Sequence, residues 1–118
     1  MEANELNERG EQRIDPVTLE VLRGQLNSAA EEMQITILKS SYSSIVTESL
    51  DATSAIFDNK GQTIAQAVAI PIHLGVIAEI GLRVARHYPE GVARPGDIYA
   101  INDPYSGGTH LPDWGVAA

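Results

Sequence analysis

The stretch "ATSAIFDNKGQTIAQAVAIP", residues 52–71, decides the fold class. Two runs rich in Ile, Thr and other strand-tolerant residues flank "DNKG", residues 58–61. Asn59 and Gly61 suit a tight turn, because both tolerate left-handed backbone. The pattern predicts a β-hairpin with strands over 52–58 and 62–69. Helical patterns lie on both sides of it. Helices and strands therefore do not alternate strictly, and the chain reads as α+β rather than as a doubly wound sheet.

Upstream, Asp15 can cap a helix, and Pro16 suits the first helical position, where its missing N–H costs nothing. Leu19, Leu22, Leu26, Ala29 or Ala30, Met33 and Ile37 recur at helical spacing. One long amphipathic helix is predicted over 16–40. The "SSYSS" cluster, residues 40–44, is expected to end or fray it. Residues 1–14 are polar and charged and read as a flexible arm.

Downstream, Leu74, Ile77, Ile80, Leu82, Val84 and Ala85 outline a second helix, which Pro89 and Gly91 end. "RPGD" turns the chain. "IYAI", residues 98–101, is a short strand, and "NDPYSGGTHLPD" is the loop after it. The expected order is long helix, hairpin, helix, strand, loop.

Composition narrows the function. The chain has 118 residues, which fits one domain, and a formal net charge of −8. That charge, with no Lys/Arg cluster, speaks against nucleic acid and against an anionic membrane surface as partner. The absence of cysteine removes disulfides, thiolate metal sites and thiol catalysis. The N-terminus has no apolar run of signal-peptide type, and the expected location is cytoplasmic. No phosphate loop, dinucleotide fingerprint or nucleophile elbow occurs, so ATP and nicotinamides are not expected to bind this chain.

The residues left for chemistry are few. His110 and Asp113 stand three apart on a loop stiffened by Pro112, and Gly107 and Gly108 free its backbone. Imidazole nitrogen and carboxylate oxygen together suit Zn²⁺, Mn²⁺ or Fe²⁺. By spacing alone the bland reading is the stronger one: a turn, a surface His110 and a capping Asp113. Asp51 reads locally as a strand-start carboxylate. His73, after Pro71, either caps the second helix or faces a pocket. His87 is most simply a helix-end residue.

Taken together, "DPVTLEVLRGQLNSAAEEM", "SLDATSAIFDNKGQTIAQAVAIPIHLG" and "PGDIYAINDPYSGGTHLPD" resemble the N-terminal region of the hydantoinase B family. That family includes the B-type half of 5-oxoprolinase and is similar to the alpha subunits of acetone carboxylase. The resemblance covers nearly everything from Asp15 onward. It implies a divalent metal (Zn, Mn or Fe) held by His110 and Asp113, with Asp51 as a further ligand. It places His73 near the active site as the catalytic candidate. It also implies a hydantoinase A-like ATPase partner that binds the ATP, and hence a hetero-oligomer.

The implied reaction is metal-assisted, ATP-dependent hydrolysis of a cyclic amide such as a hydantoin, 5-oxoproline or a lactam. The alternatives are carboxylation of a ketone and a non-catalytic interaction module. Because family members are several hundred residues long, residues 15–118 are expected to be a truncated N-terminal segment, inactive alone. Strand 98–101 is then expected to lack a neighbour and to form an exposed edge, and the apolar helix stripe to lie partly uncovered.

Overall fold

The computed structural model describes residues 14–68, 70–89 and 91–118. Its elements are α1 (Pro16–Ser40), α2 (Ser44–Ser49), β1 (Ala55–Phe57), β2 (Thr63–Gln66), α3 (Pro71–His87), β3 (Tyr99–Ile101), a 3₁₀ turn (Pro104–Ser106) and β4 (Gly115–Ala117). The α+β expectation holds: helices carry two small antiparallel sheets, β1–β2 and β3–β4. Apart from Ile14, the arm expected over 1–14 lies outside the described residues.

Helix α1 starts where the sequence says it should. Asp15 Oδ1 accepts from the Val17 and Thr18 amides at 3.0 Å each, satisfying two donors that have no partner within the helix. The hydrogen bond from the Thr18 side chain, ahead of the amide bonds, holds the Asp15 carboxyl below its ordinary range. The helix ends at Ser40, whose hydroxyl donates back to Thr36 O at 2.7 Å. The chain does not stay irregular after that. It turns through Ser41–Ser43 into α2, with Thr47 Oγ1 donating to Ser43 O. Leu50 then closes α2 in left-handed backbone, φ 56°.

The hairpin is shorter than expected, and a bulge between Ile56 and Phe57 interrupts its register. Its turn is organised by Asp58 more than by Asn59. Asp58 Oδ1 accepts from the Lys60 and Gln62 amides at 2.9 and 2.8 Å. Gly61 sits at φ 77°, and a Cβ there would lie 2.3 Å from Gly81 O on α3. The turn and the helix thus meet backbone to backbone.

One hairpin face packs on α1. Ala30, Ala65 and Ala67 form a buried cluster, with Leu26 and Ile56 packed against it. Ser54 Oγ donates to Ala30 O at 2.6 Å, and Gln34 Nε2 to Val68 O at 2.9 Å. Small side chains let the hairpin approach closely, but they bury little area. Only the middle of the α1 stripe is covered. Toward its ends Leu19, Leu22, Met33 and Ile37 remain 41–56% exposed.

One expectation is corrected. Strand 98–101 is not left without a neighbour, because β3 pairs with β4 in the register Tyr99↔Ala117, Ala100↔Val116, Ile101↔Gly115. The "GVA" run is too short to show a strand period. Only the return of the loop brings it alongside β3. No helix among the described residues is long and apolar enough to cross a membrane.

Candidate functional site

The loop that joins β3 to β4 carries His110 and Asp113. Asn102, just after β3, donates from Nδ2 to Asp113 O at 2.6 Å and ties the loop's two limbs together. Asp103 caps the 3₁₀ turn by accepting from the Tyr105 amide at 3.0 Å. Gly107 leaves the turn at φ 113°, a conformation costly for any other residue.

Asp113 is the loop's organising acceptor. Its Oδ2 takes the Thr109 amide at 2.7 Å, the Thr109 hydroxyl at 2.8 Å and the His110 amide at 2.9 Å. Burial works against ionisation of this carboxyl. The His110 amide, the Thr109 hydroxyl and amide and the neighbouring imidazole outweigh it, and the pKa is lowered. Oδ1 takes none of these three bonds and lies 3.5 Å from His110 Nδ1.

The geometry also assigns the tautomer of His110. Its Nδ1 lies 3.1 Å from Thr109 Oγ1, but the single proton of that hydroxyl is directed at Asp113. The contact therefore needs an N–H on Nδ1. In the neutral ring Nε2 is then left with the lone pair, on a side chain that is 60% exposed.

A second pair lies elsewhere. Asp51 follows the left-handed Leu50, and His73 stands in the first turn of α3. His73 Nε2 is 3.1 Å from Asp51 Oδ1, with the two side chains only 11% and 26% exposed. Carboxylate oxygens only accept, so Nε2 carries the proton. In the neutral ring Nδ1 then holds the lone pair, and it is buried without a hydrogen-bond partner.

The structure thus sorts the four site residues into two pairs, Asp51 with His73 and His110 with Asp113. Among the described residues no group of three His, Cys, Asp or Glu comes close enough to hold a metal ion. His87 behaves as a helix-end residue, its Nδ1 3.0 Å from Arg83 O. Sequence reasoning missed Thr109 and Asn102. Thr109 adjoins His110, but short polar loop residues carry no spacing signal of their own.

Comparison with known proteins gives one consistent result. The family described as hydantoinase B/oxoprolinase matches residues 15–118. The chain is 40% identical over 107 residues to the 5-oxoprolinase PfmaA of Pestalotiopsis fici, covering 91% of this chain and 8% of that protein. It is 39% identical over 100 residues to the 5-oxoprolinase of Saccharomyces cerevisiae, covering 85% and 8%. It is also 39% identical over 100 residues to the caprolactamase subunit beta of Pseudomonas jessenii, covering 85% and 17%. The chain therefore spans less than a fifth of these curated relatives. No solved structure matches it.

Proposed function

We propose a function from one premise: the chain belongs to the hydantoinase B/oxoprolinase family. It contributes part of the active site of an enzyme that hydrolyses a cyclic amide in an ATP-dependent, metal-assisted reaction. The observation that carries this is the loop built around Asp113, which presents an imidazole and a carboxylate oxygen from a rigid frame. Relatives named 5-oxoprolinase and caprolactamase supply the substrate class.

The donor types, imidazole nitrogen and carboxylate oxygen, suit a divalent cation of the Zn, Mn or Fe type, and among the described residues they stand as pairs, so further ligands of the site would come from outside these residues. His110 offers Nε2, and Asp113 offers Oδ1 while its other oxygen anchors the loop. Asp51 stands apart from this pair, with Oδ1 directed at His73, and in this reading it acts on His73. When bound, such a cation polarises a carbonyl or activates water. The chain's own residues do the rest. Asp113 and Thr109 fix the ring of His110. Asp51 holds the proton of His73 on Nε2, which leaves Nδ1 as a proton acceptor and makes His73 the candidate base.

ATP is bound by a partner ATPase of hydantoinase A type in this reading, which makes the assembly a hetero-oligomer. That a relative is named as a subunit supports this. The reading places the protein in the cytoplasm, where ATP is available.

The test is a chimera in which residues 15–118 replace the matching segment of the yeast 5-oxoprolinase. ATP-dependent opening of 5-oxoproline by the folded chimera is the expected result. A folded chimera without turnover would overturn the proposal.

A further inference from the structure

We infer that Arg83 of α3 is a positioning residue for the His110–Asp113 loop, clamping its first turn to the helix through Ser106 and Tyr105. The functional meaning of this clamp rests on the reading of that loop given above.

Three bonds hold the guanidinium. Nε meets Glu79 Oε1 at 3.1 Å, one turn back on the same helix, which sets the plane of the group. Nη1 donates to Ser106 Oγ at 3.1 Å, and Nη2 to Tyr105 O at 3.4 Å. The two acceptors lie 23 and 22 residues away in sequence. These are links between elements rather than helix-surface pairs. A planar fork with fixed donors suits two acceptors at once, which a lysine ammonium does poorly.

The turn it grips is already organised. The Ser106 hydroxyl donates to the Asp103 carboxylate, and Asp103 also takes the Tyr105 amide. Ser106 therefore stands between a guanidinium and a carboxylate, and its hydroxyl orientation is fixed from both sides. Immediately after it, Gly107 lies so close to α3 that an added Cβ would sit 3.0 Å from Ile80 Cγ1. Thr109 and His110 follow within three residues.

The loop therefore has two kinds of tie. Asn102 and Asp113 bind it to itself. Arg83, assisted by the contact of Gly107 with Ile80, binds it to α3. Without the second tie the loop's orientation relative to the helix is no longer fixed, and its own bonds, those of the Thr109 and His110 amides to Asp113 among them, open more often.

A different use of Arg83 would be anion binding. It borders a cavity of about 290 Å³ that Tyr88, Tyr99 and Ile101 also line. Its nitrogens are already engaged by protein acceptors, which favours positioning.

Amide hydrogen exchange on the whole chain tests this. Thr109 and His110 report on the loop, and Ala67, whose amide donates to Ser54 O at 3.0 Å, reports on the hairpin. Arg83→Met should speed exchange at Thr109 and His110 by about tenfold and leave Ala67 within about twofold. Arg83→Lys should restore part of the protection. Ser106→Ala, which removes the Nη1 acceptor together with the hydroxyl's bond to Asp103 while leaving Arg83 in place, should speed the same two amides. It decides the matter if the Met variant does not fold. Unchanged exchange at Thr109 and His110, or equal acceleration at all three amides, would overturn the inference. The readout needs neither metal nor substrate, so its failure is distinguishable from failure of the ring-opening reading.

Discussion

The two ends of this chain are held together by different physics. Around α1 and the hairpin, cohesion comes from contact between small residues. Ala30, Ala65 and Ala67 are buried, and Gly61 meets Gly81 with no room for a side chain. Around α3, β3 and β4 it comes largely from carboxylates: Asp103 and Asp113 collect loop donors. The first arrangement tolerates no added volume at its seam, and its carboxylates, Asp15 and Asp58, serve only the start of α1 and the hairpin turn. The second tolerates volume changes at the surface but depends on charge and acceptor geometry. The metal reading proposed above rests on this combination of a close-packed frame and a loop held by fixed acceptors.

The sharpest way to break this contrast is at Gly61. Gly61→Ala places a methyl 2.3 Å from a backbone oxygen in left-handed backbone. It should destabilise the chain by more than about 2 kcal/mol, read as a lowered thermal midpoint. A neutral result would mean that the turn and α3 do not meet as described.

Asp113→Ala comes next. It strips the shared acceptor from three donors and should cost about 1–2 kcal/mol, confined to the loop. Exchange at Thr109 and His110 should rise while Ala67 stays protected. Loss of the hairpin as well would erase the distinction between the two regions.

Ser54→Ala removes the 2.6 Å bond to Ala30 O at the α1 seam. It should cost about 1 kcal/mol, because Ser54 and Ala30 are both buried. A change confined to the loop amides would contradict its placement.

The smallest effect belongs to Asp15. Its folded carboxyl lies below the ordinary value of 3.8, through bonds from Thr18 and then Val17. Its contribution is therefore complete above that value and is lost as pH falls through the lowered one. Far-UV circular dichroism should show the start of α1 fraying in that acid window, and Asp15→Ala should remove the step. A wild-type step centred near neutral pH would point to another group.

The same contrast explains what the sequence made legible. Helix α1 was readable because its cap, its proline and its 3.6-residue spacing are all local. The hairpin was readable from "DNKG", although Asp58 rather than Asn59 organises the turn. Helix α2 was hidden because "SIVTES" has no apolar period and sits among serines. β4 was hidden because three residues carry no alternation. At the site, the i,i+3 spacing of His110 and Asp113 was visible as a motif. The Asp51–His73 pair was not, because it depends on how the first turn of α3 meets the segment after α2. The Arg83 clamp escaped notice for the same reason, since its partners lie more than twenty residues away.

The central proposal is that His110, and not merely any histidine of the chain, is a metal ligand in a cyclic-amide hydrolase. The most direct measurement is the metal content of the 5-oxoprolinase chimera carrying His110→Ala or His87→Ala, with ATP-dependent ring opening read on the same samples. The account predicts that His110→Ala loses both bound metal and turnover, while His87→Ala keeps both. Full metal content and full turnover in the His110→Ala chimera would contradict it.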